Sequence, residues 1–191
     1  MTSLPQALLD ALRERYAEPW RHYHTLRHIE SLLGLLEAHR GLARHGDELA
    51  AAIWFHDAIY DPRRNDNEAR SAELAREQLP AAGCEAGFAD RVAELVLATR
   101  SHEADPADGD KALLLDLDLS ILAAAPVDYD RYALQVRQEY AHVADDAFRN
   151  GRARVLGSFL ARPRLFILDS LFERWEAPAR QNLRREIEQL G

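Results

Sequence analysis

The chain has 191 residues, 47% apolar and 29% charged; this excludes a disordered chain and fits one domain able to bury a core without cross-links. With 24 Lys+Arg against 32 Asp+Glu the formal charge is −8, which disfavours nucleic-acid polymers and anionic membrane surfaces as partners while leaving room for a local phosphate site. The only cysteine, Cys84, excludes an intrachain disulfide and suits a reducing cytoplasm.

In chain order, Ser3 followed by Pro5 can cap a helix running to about Tyr16, with Leu8, Leu9 and Leu12 on one face. Leu26, Ile29, Leu32, Leu33 and Leu36 recur at helical spacing and predict a second helix over 25 to about 39. From Asp47 the chain is apolar all round as far as Tyr60, which predicts a core helix ended by Asp61-Pro62. Asn65-Asp66-Asn67 offers an N-cap to a helix reaching about Gln78. Cys84 lies in the turn-like Pro80-Ala-Ala-Gly-Cys-Glu with no base beside it in sequence, and so reads as inert.

Phe88, Val92, Leu95, Val96 and Thr99 mark the next helix, and 102–109 reads as a loop. The dense run Leu113, Leu114, Leu115, Leu117, Leu119, Ile121, Leu122 is read as a buried helix, because no comparable segment exists to pair with it as a strand. Two or three further helices follow, broken by Pro126, Pro163 and Pro178. The expectation is one compact all-α domain over 1–191. The first residues lack a basic region followed by an apolar run, and no segment is long enough to span a bilayer, so a cytoplasmic location is expected.

Residues with chemistry concentrate in three places. In Tyr23-His24-Thr25-Leu26-Arg27-His28 two histidines stand four apart at a helix start, on one face. They can share one metal, or one can bind metal while the other faces substrate. His56-Asp57 sits in an apolar helix, where an ionised carboxylate without a partner is very costly; adjacent positions about 100° apart allow both side chains to converge on one ion. Asp116-Leu117-Asp118-Leu119-Ser120 again puts carboxylates in an apolar run, and two positions apart only one of them faces a given ion. Two imidazoles and two carboxylates make a mixed N/O set suited to Mn, Fe, Co, Ni or Mg rather than a cysteine-rich structural zinc site.

A histidine, an adjacent His-Asp and a distant Asp in that order resemble the HD superfamily of helical phosphohydrolases. Tyr23-His24-xxx-His28 is similar to the opening motif of the cyclic-nucleotide phosphodiesterases, and Asp118-Leu119-Ser120 resembles their closing motif. Trp54-Phe-His-Asp-Ala-Ile-Tyr-Asp61 followed by Asn67-Glu68 looks closest to small bacterial HD proteins described as predicted metal-dependent phosphohydrolases.

The resemblance implies a compact multi-helix HD-domain fold, His28, His56, Asp57 and Asp118 as ligands of a divalent ion, and His24 as the proton donor to the leaving group. The substrate is expected to be a small phosphoester, of which a nucleotide is the first choice. Arg27 and Arg64, beside Arg63, are expected to meet phosphate charge. Glu68 is expected to orient a water or a ligand histidine, and His102 to add to the substrate or metal side of the site. Thr25 stands where the phosphodiesterases carry asparagine, so cyclic-nucleotide specificity does not carry over. Two alternatives accompany this expectation: a di-iron oxygenase of the same superfamily, and a domain that binds a nucleotide without turning it over.

Overall fold

A computed structural model describes residues 4–191, and Ser3, the expected cap of the first helix, lies outside the described residues. Those residues form an all-α structure with no strand among them. The helices are α1 (Gln6–Tyr16), α2 (Leu26–Ala38), α3 (Gly46–Phe55), α4 (Asn67–Ala81), α5 (Ala86–Ala98), α6 (Gly109–Asp118), α7 (Pro126–Glu139), α8 (Asp145–Leu160) and α9 (Asp169–Leu190), with 3₁₀ turns at Arg40–Leu42 and Leu119–Ala123. None of them is long and apolar enough to cross a membrane.

Packing divides the chain into two units, 1–117 and 118–191. The first is acidic and the second balanced: 21 acidic against 13 basic residues, then 11 of each.

In the first unit α3 is the central element, packed on α2, α4 and α5, while α4 and α5 form a tight helical pair. The reason is composition. Leu49, Ala51, Ala52, Ile53 and Phe55 of α3 are all buried, as a helix apolar on every face requires. Its N-terminal end is held by buried Asp110 of α6, whose carboxylate accepts the backbone N–H of Arg44 (2.7 Å) and His45 (3.0 Å) and lies 2.8 Å from His45 Nδ1. An anion there satisfies N–H groups that have no partner within the helix and complements its dipole. Helix α6 buries almost every side chain from Asp110 to Leu117, in keeping with its dense leucine run.

The end of α3 differs from the sequence expectation. The helix stops at Phe55 rather than continuing to Tyr60, with His56 as its C-cap. The following carbonyls are taken by side chains instead of by N–H groups of a next turn. Tyr16 donates to Trp54 O (2.9 Å), Arg21 to Asp57 O (2.8 Å) and Ala58 O (3.3 Å), and Trp20 Nε1 to Tyr60 O (3.0 Å). Ser71 Oγ accepts Ile59 N–H at 3.0 Å, and Asn67 bridges Asp61 N and O at 3.1 and 2.9 Å. A chain segment whose carbonyls and N–H groups find side-chain partners in this way needs no helix.

In the second unit α9 packs along the 119–123 turn and against α8, and α7 packs on the same turn. Pro126 opens α7 at N1, where its missing N–H costs nothing. Pro178 was expected to break a helix, yet α9 runs through it. Leu171, Trp175, Ala179, Asn182, Leu183 and Glu186 form one buried stripe spanning both sides of the proline, while Pro178 itself is exposed. Burial of that stripe outweighs the lost hydrogen bond. Glu186 receives Arg152 through two bonds (2.7 and 3.1 Å) and the Tyr129 hydroxyl (2.5 Å), a buried polar network among α7, α8 and α9.

Candidate metal centre

Helix α2 carries His28 on its buried stripe with Ile29, Leu32 and Leu36, so packing alone turns the imidazole inward. His56, 2% exposed, is placed by the end of α3. Its Nδ1 lies 2.9 Å from Ile53 O; a carbonyl only accepts, so this contact holds a proton on Nδ1 and turns Nε2 towards His28. The two Nε2 atoms are 3.2 Å apart.

Asp57 Oδ2 comes within 3.0 Å of His56 Nε2 and 3.8 Å of His28 Nε2. Asp118 is the last residue of α6 and is half-buried. One ligand atom from each of His28, His56 and Asp118 lies within 4.8 Å of the other two, a group able to hold a metal ion.

The donor balance of the cluster is informative. The Nε2 atoms of His28 and His56 and the Asp57 carboxylate face one another at 3.0 to 3.8 Å. Burial would raise the Asp57 pKa, but the charges of His56, His24 and His28 and the His56 hydrogen bond outweigh it and hold the carboxyl below its ordinary range. Imidazole nitrogens beside an ionised carboxylate form a mixed N/O donor set of the kind that holds a divalent cation. The residues therefore fit the expected group.

Helix α2 starts only at Leu26, so His24 precedes it rather than sharing its face with His28. The turn that holds it is closed by Thr25 N–H to Tyr23 O at 2.8 Å. His24 still lies beside the cluster, its ring 6.1 Å edge-on from that of His28 and stacked on Tyr60 at 4.2 Å. Tyr23 packs between them, 5.0 Å from His24 and 4.9 Å from His28.

The other expected site residues are spread over α2, the loop before α4, α4 itself and the loop before α6. Arg27 is exposed on α2. Arg64 is also exposed, and its guanidinium is engaged by Asp66 through two bonds of 2.7 and 2.6 Å. Glu68 is half-buried in the first turn of α4, and His102 sits in the 99–108 loop with a left-handed φ of 51°. Asp116 is completely buried and outside the metal-binding group.

The sequence reading missed Arg21. Its side chain is fully buried, salt-bridged to Glu18 at 2.9 Å and bonded to three carbonyls. Nothing in the periodicity of 17–25 marks it; a lone arginine among aromatics reads as surface. Comparison with protein-family models, with curated proteins and with solved structures finds no match to the chain.

Proposed function

We propose that the chain is a metal-dependent hydrolase of a small phosphoester, with a nucleotide as the preferred substrate class. The observation that carries this reading is the convergence of His28, His56 and Asp118 on one point, with Asp57 beside them. A divalent ion bound there supplies a Lewis acid that polarises a phosphoryl oxygen and acidifies water. His28 and His56 would offer Nε2 to it, and Asp57 and Asp118 their carboxylates.

His24 takes the proton-donor role. Its ring is oriented by the Tyr60 stack, it stands at the edge of the cluster rather than in it, and an imidazole suits proton transfer near neutral pH. Arg27, exposed one residue before His28, is the cation assigned to the phosphate. Arg64 would serve only by exchanging Asp66 for substrate. Glu68 and His102 are assigned supporting places around the substrate.

The test is phosphate release from a panel of nucleotides and simple phosphoesters by protein loaded with Mn²⁺, Co²⁺, Ni²⁺ or Mg²⁺. The expected result is turnover that His56→Gln and Asp118→Asn abolish and His24→Gln lowers about 10²–10⁴-fold. Metal-loaded protein that releases no phosphate from any member of the panel refutes the reading.

A further inference from the structure

Arg21 is a fully buried cation next to the cluster, and its hydrogen bonds go to none of the candidate ligands' side chains. Its four hydrogen bonds go elsewhere. Nε donates to Glu18 Oε2 (2.9 Å), Nη1 to His24 O (3.1 Å) and Asp57 O (2.8 Å), and Nη2 to Ala58 O (3.3 Å). The guanidinium lies over the rings of Tyr16 and Tyr60, 5.1 and 5.4 Å from their centroids. Burying such a charge without partners is prohibitive; here Glu18, three carbonyls and two ring faces provide them.

The carbonyls it selects matter more than their number. His24 O belongs to the turn that presents the proposed proton donor, while Asp57 O and Ala58 O follow directly on His56 and Asp57. One rigid planar group therefore joins the backbone of the His24 turn to the backbone of the His56-Asp57 turn. A lysine cannot reproduce this, since a single ammonium lacks the planar fork whose N–H groups diverge toward separate acceptors. Tyr60, whose ring packs near the guanidinium and stacks on His24, extends the same tie to the imidazole itself.

We infer that Arg21 is a positioning residue of the metal centre: its buried guanidinium fixes the His24 turn and the Asp57 turn against each other, and so sets where Asp57 and His24 stand relative to His28 and His56. The inference rests on the metal-centre reading above. Groups that orient ligands from behind alter metal affinity by about 10–100-fold when lost, and that is the scale expected here.

The experiment titrates Co²⁺ into wild type, Arg21→Lys and Arg21→Gln, following the visible absorption of the bound ion and the heat of binding, with folding checked by circular dichroism and urea unfolding. Arg21→Lys keeps a charge in the pocket and guards against collapse of the uncharged variant. Tyr16→Phe is the control: it removes the hydroxyl tie to Trp54 O, two residues before His56, and keeps the ring face under Arg21.

Expected are about 10–100-fold weaker Co²⁺ binding and a changed absorption band in both Arg21 variants, with Tyr16→Phe binding Co²⁺ within about twofold of wild type whatever its loss of stability. Unchanged affinity and spectrum in folded Arg21→Lys overturn the role of Arg21 and leave the metal centre standing. Equal weakening by Tyr16→Phe overturns it too, since any loosening of the first unit would then suffice. A wild type that takes up no Co²⁺ removes the metal centre and this inference together.

Discussion

Replacing Glu186 by alanine tests the energetics of the second unit. The Arg152 and Glu186 side chains are 10% and 8% exposed, so this pair is not a surface ion pair, for which about 0–1 kcal/mol would be expected. Glu186→Ala takes the carboxylate from a buried guanidinium and the acceptor from the Tyr129 hydroxyl, a donor kept protonated because burial and the Glu186 anion push its pKa up. Removal of one member of a buried pair costs about 3–5 kcal/mol. Glu186→Gln keeps the shape and one acceptor, and should cost about 1.5–3 kcal/mol, the value of a hydrogen bond to a charged group. Arg152→Met/Glu186→Leu removes both charges and should recover most of the loss. Urea unfolding of the four proteins gives the comparison. A loss under about 1 kcal/mol for Glu186→Ala, within the range of an exposed pair, refutes the reasoning, as does a double variant no more stable than the single one.

Ser71→Ala orphans both polar groups of Ile59 and should lower stability by about 2 kcal/mol, measured as a shift of the urea midpoint at constant slope. Adding a divalent ion to chelator-treated protein at about 100 times its Kd should stabilise it by about 2.7 kcal/mol and raise Tm by several degrees; Asp118→Asn should show little of that shift. Asp108 gives the pH dependence. Its hydrogen bond to Arg91 (2.6 Å), opposed by partial burial and aided by Lys111, lowers its pKa to about 2. A depressed carboxyl contributes stability that is fully present above the unfolded value of about 3.9 and is lost as pH falls through the folded one. The gap in urea midpoint between wild type and Asp108→Asn should therefore be constant from pH 7 to about 4 and close towards about 2. A gap unchanged at low pH would contradict the assignment.

Helical spacing carried most of the fold, because buried faces at i, i+3 and i+4 leave a direct trace in composition. The stripe of α2 and the solid apolar run of α6 are cases in point. The errors fall where tertiary partners override that trace. The run from Asp47 to Tyr60 is apolar enough for a single helix, yet side chains from α1, the 17–25 segment and α4 claim its later carbonyls. Pro178 is a breaker by local rule, but the stripe on α9 carries the helix past it.

At the site, the buried His-Asp pair was legible because charge in an apolar run demands a partner. The choice of Asp118 over Asp116 came from resemblance to a motif, and the group able to hold an ion contains Asp118. Arg21 was illegible for the opposite reason: its partners are carbonyls, which every residue has and no sequence displays.

The uneven split of charge has a kinetic side. With 21 acidic and 13 basic residues before position 118, the first unit carries a net negative charge and the field that goes with it. Such a field draws divalent cations inward and slows the approach of phosphate anions. Cation capture should thus slow as ionic strength rises, while encounter with a phosphoester should quicken, since a Debye length of about 10 Å at 0.1 M salt screens both forces. Two opposite salt slopes from one surface would make loading with metal and turnover of substrate favour different media.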